Sequence, residues 1–334
     1  MRQEALYNYF RSKAFHSTTP ISVMIELLTK CNVRCEHCYL PSFVNPGISF
    51  EKMEKLLHEL KNLGVVSVSF TGGEIFLRKD LFDLIAIARK LNMRVILLSN
   101  ATLLTEEKVK KLSELYISEF STTVFSMDER IHDSITKQEG SLKKVLKNLS
   151  YLKKYGIRVK VKTPIMKKNM TDFMNVKKFC DENGFSFFTS SLIFSKNDGD
   201  SKPKELRIHE CDMVNVVKTI DKISRNDYLH ADDIPCRALF YSFAIDCDGN
   251  VHPCNSFLYK VGNIYENSLK EIWYDSEGMN LIRSIRSSDL TQCTSCKYKS
   301  QCDRCPGMVY LENKDFLSCD QSAKSVAKIR LSNM

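Results

Sequence analysis

Cys31, Cys35 and Cys38 crowd three thiols into eight residues, spaced x3 and x2. Three thiolates so placed can wrap one small inorganic core, and soft thiolate donors select zinc or iron–sulfur centres over harder metals. A closed tetrahedral zinc site needs a fourth ligand. A 4Fe–4S cluster held by only three cysteines keeps one iron open. His37 is the nearest alternative donor, but it lies between two of the cysteines, where a second short bite is strained. The third thiol also weakens a redox-dithiol reading of Cys35-x2-Cys38.

A second field of thiols lies near the other end of the chain. It comprises Cys236, Cys247 and Cys254, the run Cys293-x2-Cys296-x5-Cys302-x2-Cys305, and Cys319. Only Cys180 and Cys211 fall between the two fields, and burial as small apolar residues accounts for both. The total of 13 is odd, and a reducing compartment keeps thiols apart, so a disulfide framework is the poorer explanation. Clustered thiols then mean metal. Paired Cys-x2-Cys units are also how structural zinc sites look, and zinc is the competing reading of the second field.

The elements that must position these residues follow from periodicity. The 334 residues are enough for about two domains. With 43% hydrophobic and 27% charged residues, a wholly disordered chain is excluded. No apolar run approaches the roughly 18 residues of a membrane span. The first 20 residues lack the continuous apolar segment and cleavage site of a secretory signal, so a cytoplasmic chain is expected. The net charge of +9 is spread, densest from Lys143 to Lys162, where a solvated helix face is the plain reading. No nucleic-acid-binding pattern accompanies it.

Residues 21–28 read as a strand feeding the first cysteine loop. Met53, Leu56, Leu57 and Leu60 then mark one face of a helix. Val66, Val68 and Phe70 alternate as a strand does and end at Thr71-Gly72-Gly73-Glu74. Helix and strand keep alternating, with strands at 95–98, 119–125, 157–161 and 185–188, and with Thr105 as the cap of a helix. Repeated strand–helix units imply parallel strands with helices packed outside. Six strands are too few for an eight-fold barrel, so an open sheet and an incomplete barrel both satisfy the pattern. Residues 195–204 are a polar loop, and a domain boundary is placed near residue 230.

The stretch CNVRCEHCYL (residues 31–40) resembles the signature of the radical S-adenosylmethionine superfamily. His37 departs from the Tyr or Phe usual before the third cysteine, while Tyr39 keeps an aromatic beside it. The resemblance implies a partial (β/α)6 TIM barrel over residues 20–230, after an N-terminal arm (1–19). It implies a 4Fe–4S cluster on Cys31, Cys35 and Cys38 whose open iron binds S-adenosylmethionine. It further implies that Gly72, Gly73 and Glu74 hold the methionine amino group, with Ser99, Asn100, Ser126, Asp128 and Tyr39 as the other cofactor contacts. Polar groups at strand ends are equally ordinary as caps and turn formers.

The second field resembles the SPASM extension of the same superfamily, which places a SPASM domain at residues 231–334. One internal spacing is two residues where three is usual. The resemblance implies two auxiliary clusters. Cys236, Cys254 and Cys305 would hold the first and Cys293, Cys296, Cys302 and Cys319 the second. Cys247 is the candidate fourth ligand of the first, unless Asp246 and Asp248 mark an ordinary turn. Also implied are a precursor peptide as substrate and a flavodoxin- or ferredoxin-type electron donor. Because only about 20 residues precede the first strand, a separate N-terminal peptide-recognition domain is not expected, and recognition falls to the barrel mouth, the C-terminal region or a separate peptide-recognition protein. Cys180 or Cys211 would be the hydrogen donor if the reaction were an epimerisation. Sulfatase maturation and tetrapyrrole or small-molecule synthesis are the alternative activities.

Overall fold

The computed structural model describes residues 2–224 and 234–332. Six strands occur in order: β1 (Ser22–Glu26), β2 (Ser67–Thr71), β3 (Arg94–Leu98), β4 (Glu119–Thr123), β5 (Val159–Pro164) and β6 (Ser186–Ser190). Each pairs in parallel with the next. Helices Phe50–Leu63, Leu81–Lys90, Glu106–Glu114, Ser141–Lys154 and Phe173–Asn183 run between them. This is the partial barrel that the alternation left as one of two options.

Local chemistry sets the helix ends. The Ser49 side chain accepts the Lys52 N–H, and Gly64 closes the same helix at φ 106°. Thr105 accepts the Lys108 N–H, as its cap position predicts. Met53, Leu56, Leu57 and Leu60 are all buried against the sheet, at roughly 1.5–3 kcal/mol each by area. Val68, Phe70, Val95, Leu97, Phe120 and Val161 meet the helices from the sheet side. Side chains alternate along a strand, so the intervening residues face the barrel lumen. That inner set includes Glu26, Thr71, Ser121 and Lys162.

The sheet does not end with the barrel. β7 (Ser242–Ile245) pairs in parallel with β1, and β8 (Asn250–His252) and β9 (Gly262–Asn263) extend it antiparallel. The result is one nine-stranded sheet in the order β6-β5-β4-β3-β2-β1-β7-β8-β9. The expected boundary near residue 230 lies outside the described residues. The N-terminal arm is a helix, Arg2–Ser17, joined to the C-terminal half. Phe15 packs on Phe240 at 4.9 Å, Arg11 donates to Tyr241 Oη at 2.8 Å, and Trp273 Nε1 donates to the Thr18 carbonyl at 2.8 Å. Among the described residues no helix is long and apolar enough to cross a membrane.

Candidate active site

The first cysteine loop leaves the C-terminal end of β1 and is held along its length. The Arg34 and Glu36 N–H groups donate to the Thr136 and Ile135 carbonyls at 3.1 and 2.9 Å, which docks the loop on the end of helix Glu129–Thr136. Arg34 Nη1 donates to the carbonyls of Cys31 at 2.6 Å and Val33 at 2.9 Å, and its guanidinium stacks 4.2 Å from the Phe43 ring. Burial pushes the Cys35 thiol well up, and the neighbouring Cys38 and Cys31 push it further. Three mutually destabilising thiols on one braced loop are a donor set that fits a cationic inorganic core. Neither Asp nor Glu lines the cavity above them.

That cavity is lined by the three cysteines, His37, Tyr39, Gly72, Gly73, Ser99 and Asn100, among others. The glycines explain themselves. A Cβ on Gly73 would sit 2.2 Å from the Lys30 carbonyl oxygen, and one on Gly72 would sit 2.3 Å from that of Leu28. The Gly73 and Glu74 N–H groups donate to those same carbonyls at 2.8 Å. The Gly-Gly turn is therefore pressed against the backbone that leads into Cys31, a closer neighbour than any ligand.

Three of the expected cofactor contacts, Glu74, Ser126 and Asp128, lie outside the cavity lining. Glu74 is fully buried and does not line the cavity. Its carboxylate accepts from Ser99 Oγ at 2.8 Å, the Asn100 N–H at 2.9 Å and the Phe76 N–H at 3.0 Å. It braces the β2 and β3 loops instead of presenting an acceptor to an ammonium. Burial raises its pKa, against those hydrogen bonds. Ser126 is fully buried too, bonded to the Asp172 carboxylate, which also accepts the Met127 N–H at 2.7 Å. Asp128 is exposed and caps helix Glu129–Thr136, accepting the Arg130 N–H at 2.8 Å. Asn100 does reach the triplet: its Nδ2 lies 3.7 Å from Cys31 Sγ and donates to Asn32 Oδ1 at 3.0 Å.

The C-terminal thiols fall into two electrostatic groups. Burial pushes Cys254 up to about 12, with Cys236 and Cys305 adding to it, and pushes Cys236 up to about 11, with Cys305 adding. Burial likewise pushes Cys302 up to about 12, with Asp320, Cys293 and Cys319 adding. Burial also raises Cys319, which feels Cys293 and Cys296. Cys247 joins neither. It sits in the turn between β7 and β8, pushed up to about 12 by burial and then by Asp248, Glu26 and Asp246. Its neighbours are carboxylates, as the flanking aspartates hinted. Cys180 is sealed in the core between sheet and helices, and Cys211 is exposed on helix Glu210–Ser224. Neither is among the residues that line the cavity above the triplet loop or the second chamber that adjoins it.

Several site residues escaped the sequence reading. Tyr39 Oη donates to Glu26 Oε1 at 2.6 Å, and burial raises Glu26 despite that bond. His132 is 1% exposed and lines the cavity, its Nδ1 accepting the Phe125 N–H at 3.2 Å. Burial lowers its pKa to about 4, so it is a neutral ring with its proton on Nε2. A second chamber adjoins the first and shares His37, Tyr39 and Lys162 with it. Phe188, Ile193, Asn255, Ser256 and Leu311 line its far side, the last three coming from the C-terminal half. The plain reading of Lys162 as part of a solvated helix face does not hold: it alternates with Val159 and Val161 along β5, which puts it on the lumen side.

A parallel α/β barrel with a thiol loop at the mouth of β1 and a thiol-rich extension on its sheet is the frame of a cluster-dependent enzyme. Residues 25–180 match the Radical SAM superfamily, and residues 236–306 match an iron-sulfur cluster-binding (SPASM) domain. The chain belongs to the radical SAM superfamily and carries a C-terminal SPASM domain. The AdoMet-dependent heme synthase of Oleidesulfovibrio alaskensis is 21% identical, over 84% of this chain and 81% of its own length. The subtilosin biosynthesis protein AlbA of Bacillus subtilis is 25% identical, over 86% of this chain and 65% of its own. The crystal structure of Streptococcus suis SuiB bound to precursor peptide SuiA shares the fold. Its TM-score is 0.73 at 19% identity, covering 97% of this chain and 81% of that one.

Proposed function

We propose that this radical SAM enzyme modifies a ribosomally synthesised peptide, forming a thioether, a carbon–carbon link or a related bond. The observation that carries the reading is the second chamber. It opens beside His37 and Tyr39 of the triplet loop, is walled by apolar side chains, and is completed by Asn255, Ser256 and Leu311. A side chain of a peptide lying across the barrel mouth can enter it. Cys31, Cys35 and Cys38 would hold the 4Fe–4S cluster that binds S-adenosylmethionine. When bound, that pair supplies a 5′-deoxyadenosyl radical able to take a hydrogen atom from the substrate. Asn100 and His132 would orient the cofactor, Glu74 would hold the loops that carry it, and the braced triplet loop would keep water out.

In this reading Cys236, Cys254 and Cys305 hold one auxiliary cluster, and Cys293, Cys296, Cys302 and Cys319 a second. The barrel spans residues 20–230 and the SPASM domain 231–334. A flavodoxin- or ferredoxin-type donor supplies the electron, a separate protein presents the peptide, and the enzyme works in the cytoplasm. The test is anaerobic incubation of iron-loaded enzyme with S-adenosylmethionine, dithionite and short peptides encoded beside the gene, read by mass spectrometry. A loss of two hydrogens in one peptide is expected. Formation of 5′-deoxyadenosine with no change in any peptide would overturn the peptide assignment. The heme synthase likeness over 84% of the chain favours a second reading, in which a tetrapyrrole propionate enters the same chamber. Conversion of an iron porphyrin in the same assay would select it.

A further inference from the structure

Lys162 lies on the lumen face of β5, where the chamber above the triplet loop meets the second chamber, and it lines both. Among the described residues it is the one lysine or arginine in either lining, and no Asp or Glu is present in either. Its neighbour one rung below, Lys160, is paired with Glu119 at 3.2 Å. Among the described residues Lys162 has no such pair, and its Nζ donates no hydrogen bond. Burial lowers its pKa, Lys160 lowers it further, and Glu119 only partly opposes them. A second observation points the same way. Ser121 lines the first chamber from β4, is 3% exposed, and its Oγ has no hydrogen-bond partner. β4 and β5 pair Ser121 with Lys160 and Thr123 with Lys162, so the two unpartnered donors occupy adjacent rungs of one wall.

A half-buried cation without a counter-charge and a buried hydroxyl without a partner both cost free energy unless something that enters the cavity satisfies them. We infer that Lys162 and Ser121 form a carboxylate-binding site, and that the carboxylate belongs to the substrate. The inference deepens the reading of the second chamber as the substrate's: Ser121 lines the first chamber, Lys162 lines both, and among the described residues Lys162 is the only Lys, Arg, Asp or Glu lining the second. The ligand is then an acidic side chain, a chain terminus or a propionate, held by a charge-assisted hydrogen bond next to the reacting position. Lys162 is a positioning residue and takes no part in bond breaking.

Glutarate is the probe, since it carries the carboxylate without a peptide backbone and so tests the site independently of the peptide assignment. Cluster-loaded enzyme is acetylated under argon with an N-hydroxysuccinimide ester, and peptide mass spectrometry compares Lys162 with the exposed Lys144. Saturating glutarate is expected to slow acetylation of Lys162 about tenfold, with glutaramide and Lys144 as unaffected controls. In Ser121→Ala the half-protecting glutarate concentration should rise about threefold or more, with Ser121→Thr restoring it. Equal rates with and without glutarate, or equal protection by glutaramide, would overturn the site. So would failure of Lys162 to acetylate in free enzyme, because an amine a ligand can reach is one the reagent can reach. Protection by S-adenosylmethionine but not by its decarboxylated analogue would assign the carboxylate to the cofactor and overturn the substrate assignment.

Discussion

The two thiol fields face the same demand, to hold buried sulfurs close together, and their scaffolds differ. Cys31, Cys35 and Cys38 stand on a loop that a strand precedes, a helix end supports, and the Gly72–Gly73 backbone backs at van der Waals distance. The strand it leaves is anchored in the apolar core through Val23 and Ile25. The seven thiols of the two C-terminal groups stand mostly on short turns, with Cys293 on the short helix Thr291–Thr294. Residues 291–301 are largely exposed. Polar contacts tie that segment and its neighbours: the Cys319 N–H donates to Gln292 Oε1 at 3.3 Å, Arg330 Nη1 donates to the Gln301 carbonyl at 3.1 Å, Arg304 donates to the Phe316 and Ser318 carbonyls, and Asp320 accepts the Cys305 and Ala323 N–H groups at 3.2 and 2.9 Å. The barrel loop is held by its own backbone hydrogen bonds to helix Glu129–Thr136. The C-terminal turns bury little apolar surface to offset chain entropy, so their order is expected to depend more on a bound cluster.

The contrast can be broken by experiment. The largest effect is expected for Cys35→Ala, which should abolish 5′-deoxyadenosine formation, a loss of about three orders of magnitude or more, while its melting temperature stays near that of the parent. A large drop in melting temperature would show that the loop, too, depends on its cluster. Next in size, anaerobic removal of iron should erase amide exchange protection over residues 291–305 and leave the strands β1–β6 protected. Equal loss in both regions would erase the distinction.

Glu74→Gln addresses the barrel frame alone. The amide nitrogen cannot accept the hydrogen bonds from Ser99 and Asn100, so unfolding should cost about 1–3 kcal/mol less, read by denaturant titration. An unchanged midpoint would remove Glu74 as a brace and return it to the list of ligand contacts. The smallest effect belongs to Cys247→Ala: about 1 kcal/mol of stability at most, with iron per chain unchanged by colorimetric assay. A fall in iron would place Cys247 among the ligands after all.

Much of this was legible in the residues. Alternating apolar runs gave the six parallel strands because burial follows periodicity, and thiol spacing marked both fields because few other chemistries need sulfur so densely. Loop polar residues were harder. Ser126, Asp128 and Glu74 are the types that contact ligands, and equally the types that satisfy buried backbone. Only the positions of Asp172, of the helix N-terminus at Glu129 and of the Asn100 N–H show which use each one serves.

Sequence alone therefore determined the class of chemistry, since a thiol's affinity for metal is a property of the side chain and its spacing. Tertiary structure decided that Cys247 sits among carboxylates in the turn between β7 and β8, that the extension shares the barrel's sheet, and that Lys162 and Ser121 share one wall of the lumen. Those facts depend on strand register and on hydrogen bonds between residues far apart in the chain, such as Trp273 with Thr18. Distance in space, unlike residue type, is not written along a sequence.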